Sequence, residues 1–219
     1  MAETIEVKRH SLFYRLVHWS VVFTTFMLMF SGIQLGGIYN IRFFGDLLRP
    51  LHGYVGLVFV ALWIMFFYYI IVHEWKWFSL TRIPYSIRFL IAEAKAWFGV
   101  GEHVEDPRAY DAEKNEYVEK IIPTEVGVWW IYLALAVLMG LTGLAMMFPN
   151  GFSWVYGIAK AFSFLFGTDN AYAIVRYVHR LGMYLFLFVI ILHVYAVFIF
   201  GVVTSMITGK RNEKVVKSE

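Results

Sequence analysis

Four of the seven histidines, His18, His52, His179 and His193, stand in or at the ends of apolar runs. An ionisable side chain in hydrocarbon is expensive and is found there when something engages it. His179 and His193 lie fourteen residues apart in RYVHRLGMYLFLFVIILHVY (176–195). On a helix that spacing is about 21 Å along the axis and roughly 40° around it, so both side chains leave one face. A neutral imidazole presents one lone pair to a metal ion. One helix could thus serve two metal centres at two depths, provided that other helices bring a second imidazole to each. A lone histidine at a helix end is more often a hydrogen-bonded interfacial residue. The decision therefore rests on the elements that set the depths of all four.

Those elements are apolar helices. Of the 219 residues 60% are hydrophobic, 20% aromatic and 16% charged, too apolar for an ordinary soluble domain. Four stretches, 13–35, 51–72, 126–148 and 173–203, reach the roughly 20 residues that a helix needs to cross a bilayer. Their backbone groups must be satisfied within the lipid, and they lack the period-2 alternation of a barrel, so helices are expected. The predicted fold is an all-α membrane protein, a four-transmembrane-helix bundle forming one domain over 1–219. GFSWVYGIAKAFSFLF (151–166) is apolar but short and glycine-punctuated. It reads as an interfacial or re-entrant piece, with a fifth span as the alternative. Residues 74–123 form the one long hydrophilic connection. After Pro84, apolar residues alternate with Arg88, Glu93 and Lys95 over 85–98, which predicts an amphipathic helix on the membrane surface. The opening MAETIEVKRHS does not resemble a cleavable signal peptide, so the first span is expected to stay in the membrane. The chain has no cysteine, which excludes disulfides, thiolate-held clusters and CxxCH haem attachment within it. A net charge of +3 does not suggest nucleic acid.

Basic residues set the orientation. Lys8, Arg9 and Arg15, seven more in 74–123, and Lys210, Arg211, Lys214 and Lys217 oppose Arg42, Arg49, Lys160, Arg176 and Arg180. Both termini and the long connection are therefore expected in the cytoplasm. His18 then begins the first span on the inner side, at the depth of His193. His52 begins the second on the outer side, at the depth of His179. Two stacked pairs are what two six-coordinate haems require, each iron taking an imidazole on either face. For His10, His73 and His103 no second histidine is expected at a matching depth.

Arginine precedes histidine by one helical turn at Arg15/His18, Arg49/His52 and Arg176/His179, so each pair leaves one face. Such an arginine could neutralise a haem propionate, or simply anchor a helix at the interface. Small residues let a flat macrocycle approach a helix. Gly56 and Gly182, each within about a turn of a proposed ligand, are the candidates here, with helix packing as the alternative reading of this and other span glycines.

RHSLFYRLVHW (9–19), FSGI (30–33), PLHGYVG (50–56), LTG (141–143) and HRLGMYLFLFVIILH (179–193) resemble the di-haem cytochrome b membrane subunit, the gamma subunit, of respiratory formate dehydrogenases. VHEW (72–75), Ile83-Pro84 and GVVTSMITGK (201–210) also match that type in character and position. The cytochrome b subunits of nickel–iron hydrogenases are more distantly similar. The resemblance covers about 8–211. It implies an inner haem b held by His18 and His193, and an outer haem b held by His52 and His179. It further implies a multi-pass protein of the inner membrane. Partners would be an iron–sulfur subunit and a catalytic molybdenum or tungsten subunit, which carries out substrate oxidation. Electrons would pass through the outer and then the inner haem to a membrane quinone, menaquinone or ubiquinone, reduced here.

The quinone region departs from the family. An Asn-x-x-Gln-Lys-like stretch is replaced by EKIIPTEVGVWW (119–130), and the outer connection 149–172 is longer. Thr124, Glu125 and Trp129, with His193 and with Tyr117 or Lys120 nearby, are the candidate quinone residues; Glu125 at a helix start could instead serve as an N-terminal cap. A hydrogenase or another periplasmic oxidoreductase could replace formate dehydrogenase as donor. A membrane anchor without redox function is the rival from another class, but it has no need of matched histidine depths.

Overall fold

The structure, a computed structural model, describes residues 3–37, 43–102 and 104–216. Arg42, His103 and Lys217 lie outside the described residues. Four long helices follow the four apolar runs: α1 (Leu12–Leu35), α2 (Leu48–Tyr69), α5 (Pro123–Met147) and α7 (Ala171–Ile199). Each is long and apolar enough to cross a membrane. Between the second and third run α3 (Trp75–Phe78) and α4 (Ile83–Trp97); α6 (Ser153–Ala161) and α8 (Val203–Thr208) complete the helices. A five-residue π-helical stretch, Ile70–Glu74, follows α2. The helix expected over 85–98 is α4, with Pro84 in its first turn, where proline's missing N–H costs nothing.

Contacts divide the chain into two compact units. One, here the cavity unit, holds 17–66 and 132–192, and with them most of the four long helices. There α6, at nine residues, is too short to span. It packs Ala159 against Ala145 of α5 and Ile174 and Val175 of α7, and the Tyr156 hydroxyl donates to the Ala145 carbonyl at 2.9 Å. A fifth span is thereby ruled out.

The other, the sheet unit, holds 1–16, 67–131 and 193–219. It contains strands that hydropathy did not announce: β1 (Thr4–Lys8), β2 (Ala109–Asp111), β3 (Glu116–Glu119) and β4 (Lys210–Val216), in the order β1-β4-β2-β3. β4 pairs antiparallel with β1, Thr4 opposite Lys214, and parallel with β2, Tyr110 opposite Val215. β2 and β3 form an antiparallel pair with Tyr110 opposite Tyr117. Buried charges close on each other around the sheet. Glu213 takes Arg9 at 2.7 Å and Arg211 at 3.2 Å, while Lys120 meets Glu74 at 2.5 Å and Arg82 meets Glu119 at 2.7 Å. Arg108 pairs with Asp106 and, together with Arg211, donates to the Phe200 carbonyl just beyond α7. Two guanidiniums thus meet the negative end of that helix. Gly209 ends α8 at φ +83°, and a Cβ there would stand 2.9 Å from the His10 carbonyl oxygen, so only glycine fits. One sheet thus gathers residues 4–8, 109–119 and 210–216, from before the first long helix, from the long connection and from after the last long helix.

Candidate functional site

The cavity unit encloses a space of about 560 Å³ among α1, α2, α5 and α7. Cofactor pockets have roughly 300–1,000 Å³. Its floor is made by absence of side chains: Gly32, Gly36, Gly53, Gly56, Gly140 and Gly143 all line it. Into it project His52 from α2 and His179 from α7, their ring centres 6.3 Å apart and their planes at 74°. A Cβ on Gly32 would lie 3.4 Å from Cε1 of His52, and one on Gly143 would lie 3.5 Å from Cε1 of His179. Each ring thus rests against a glycine of the neighbouring span.

Each imidazole also has a hydroxyl partner one residue before that glycine. Nδ1 of His52 lies 2.8 Å from Oγ of Ser31, and Nδ1 of His179 lies 2.8 Å from Oγ1 of Thr142. Both hydroxyls donate one turn back, Ser31 to the Met27 carbonyl at 2.7 Å and Thr142 to the Leu138 carbonyl at 2.6 Å. Neither residue stands out in the sequence except as the small hydroxyl of Ser-Gly in FSGI and of Thr-Gly in LTG. Their relation to a histidine 21 or 37 positions later needs the helices side by side.

Two imidazoles on opposite sides of one metal, with metal–nitrogen bonds of about 2 Å, bring ring centres roughly 6 Å apart. The observed separation fits, and so does the ligand count. A macrocycle supplies a metal's other four ligands, so two imidazoles suffice. Arg49 and Arg176 line the same space, as expected for groups facing acidic substituents. Arg180 lines it too, and donates to the Gly36 carbonyl at 2.9 Å; the sequence had shown it only as an outer basic residue. Gly56 is on the cavity wall. Gly182 is not. Its missing Cβ instead admits Met139, whose sulfur would stand 2.7 Å from it, so this glycine serves packing of α7 on α5.

The other expected pair falls in two units. His18, on α1 in the cavity unit, is half-buried and meets the Trp19 ring edge-on at 5.4 Å. His193, on α7, is half-buried in the sheet unit. Arg15 donates to the Ile207 carbonyl, and its Nε is buried with no acceptor among the described residues. His10 stacks on Tyr14 at 4.9 Å, and His73 is exposed beside Tyr69.

The candidate quinone residues all lie in the sheet unit. Glu125 accepts from the Ile122 N–H at 3.2 Å, reaching back from the third helical position to the residue before Pro123. This is half of a capping box, the capping alternative already open in the sequence. Lys120 is engaged by Glu74, and the Tyr117 hydroxyl points to Glu213 at 3.5 Å. Thr124 is half-buried. Trp129 is buried against Phe67 and Phe78, and its indole N–H has no acceptor among the described residues.

Four apolar helices around a glycine-lined space with two facing imidazoles are the architecture of a membrane cytochrome b. A family model described as prokaryotic cytochrome b561 matches residues 9–209, and the chain belongs to that family. It is accordingly a multi-pass membrane protein of haem b electron transfer. A comparison with curated proteins found no match.

Proposed function

We propose that His52 and His179 hold one haem b in the cavity. Arg49, Arg176 and Arg180 would neutralise its propionates, and the glycine-lined wall would admit its plane. The observation that carries this is the facing imidazole pair, 6.3 Å between ring centres, in a space of cofactor size. A haem bound there supplies one-electron redox chemistry. The residues bind and orient it, and the apolar span faces keep water from it. A second haem b is assigned to His18 and His193 from their matched depths in sequence, with Arg15 as its propionate partner.

On this reading the chain, in the inner membrane with its sheet on the cytoplasmic side, conducts electrons from an outer iron–sulfur partner to a membrane quinone. The motifs quoted above favour a formate dehydrogenase as the donor complex, with its molybdenum or tungsten subunit. The family match suits a nickel–iron hydrogenase or another periplasmic oxidoreductase equally. The buried indole N–H of Trp129, without an acceptor among the described residues, supports a quinone carbonyl at the sheet-unit end of α5, with Thr124 beside it and His193 as the nearer ligand. The test is a pyridine haemochrome assay on the purified chain. Two haems per chain are expected in the wild type and one in His52→Ala or His179→Ala. Unchanged haem in both variants would overturn the site.

A further inference from the structure

We propose that Ser31 and Thr142 are matched positioning residues: with the haem site above as its premise, each locks one of the two facing imidazoles in the Nδ1–H form and in a fixed rotation, so that the two rings stand crosswise. A hydroxyl has one proton to give. Ser31 gives its proton to the Met27 carbonyl at 2.7 Å, so its oxygen can only accept from His52, 2.8 Å away. Thr142 gives its proton to the Leu138 carbonyl at 2.6 Å and must likewise accept from His179 at 2.8 Å. Both imidazoles therefore carry hydrogen on Nδ1, which leaves the Nε2 lone pair of each for the metal. The anchors are stiff. Each hydroxyl is tied to its own helix one turn back, Ser31 and Thr142 are 5% and 4% exposed, and the adjoining glycine lets the ring lie against the helix.

The same device occurs twice, from α1 to α2 and from α5 to α7. Its two copies set the ring planes 74° apart. Axial imidazoles near a right angle act on different metal orbitals and keep them close in energy. An oxidised iron held this way has a strongly anisotropic low-spin magnetic signal, displaced to low field compared with parallel rings. Donation from Nδ1–H also makes each imidazole a better electron donor to the metal, and so favours the oxidised form.

The test uses the full chain purified in detergent and the signal lost in His52→Ala, which identifies the cavity haem. Thr142→Val keeps the shape of threonine and removes the hydroxyl; Thr142→Ser keeps the hydroxyl and removes a methyl group. If the hydrogen bond governs, Thr142→Val moves that signal toward higher field and raises the midpoint potential of this haem alone. It also weakens haem retention roughly 10–100-fold, the usual cost of losing a ligand's outer partner. Thr142→Ser restores the wild-type signal and potential, and Ser31→Ala shifts both as Thr142→Val does. A signal and potential unmoved in Thr142→Val, or moved equally in Thr142→Ser, overturn the positioning role while leaving the haem site intact. An unchanged haem content and spectrum in His52→Ala overturns the site itself.

Discussion

The cavity unit and the sheet unit treat buried polarity in opposite ways. In the cavity unit the buried polar side chains, Thr24, Thr25, Ser31, Gln34 and Thr142, are neutral and are mostly tied back to their own helices. Thr25 donates to the Val21 carbonyl at 2.7 Å, and Ser31 and Thr142 repeat the pattern. What is left over is a space and two imidazole lone pairs. In the sheet unit the charges are many and answer one another, with Glu213 alone holding two arginines. A region whose charges are mutually satisfied is a fastening. A region that spends glycines to keep a cavity open, and aims ligating atoms into it, is built around something else.

The contrast is broken most decisively by removing one imidazole. His52→Ala or His179→Ala takes away one of the two proposed haem ligands and is expected to lose the haem proposed for the cavity, measured as haem per chain, while the sheet unit keeps its fold. The second largest effect is expected in the sheet unit. Glu213→Ala leaves the buried Arg9 and the half-buried Arg211 without their carboxylate. Breaking a buried pair from one side costs about 3–5 kcal/mol. A matching fall in thermal stability, with both haems retained at low temperature, would confirm the fastening role; loss of the cavity haem alone would blur the distinction.

Gly182→Ala probes the cavity unit without touching a ligand. Its Cβ would meet the sulfur of Met139, part of a flexible side chain that can give way, so the cost is expected at the lower end of the overpacking range, about 1 kcal/mol. Stability should fall with the spectrum of the cavity haem unchanged, whereas a spectral change would return Gly182 to the cavity wall. The smallest effect concerns pH. Burial opposes the charge on Asp106, but the hydrogen bonds from Arg108 outweigh it and hold its pKa below the usual 3.8. Because the folded value is depressed, the stabilisation is complete above pH 3.8 and is lost as pH falls through the lower folded value. Asp106→Asn should be less stable at neutral pH and should flatten the acid limb of the unfolding curve. An acid limb identical to the wild type would show that Asp106 is not part of the fastening.

The four spans were legible because crossing a bilayer demands length and apolarity, which hydropathy reads directly. The shortness of α6 was legible for the same reason. His52 and His179 could be paired by depth, since rise per residue is fixed. The hydroxyls of Ser31 and Thr142 could not be assigned, because the bond depends on how neighbouring helices are rotated. Gly182 faces Met139 rather than the cavity, the packing alternative open in the sequence, because nearness to a ligand along a helix says little about which neighbour fills the gap. The sheet was invisible for another reason. TIEVK, AYD, EYVE and KRNEKVV are short and charge-rich, and β-propensity acquires meaning only from the strand alongside. Glu125 lacked its usual signature, since the residue at the cap position is Ile122 rather than serine or threonine.

The pairing of β1 with β4 bears on how the protein is made. Synthesis delivers residues 4–8 before 210–216, with all four spans in between. At roughly 5–20 residues per second, β1 stands with an unmatched edge for about 10–40 s. Nor can it pair afterwards unless an even number of crossings returns the chain to the side it left. Closure of the sheet therefore depends on the number of crossings: a nascent chain that skips one span, or stops before the last, leaves β1 with an open strand edge, a template for unwanted pairing and aggregation.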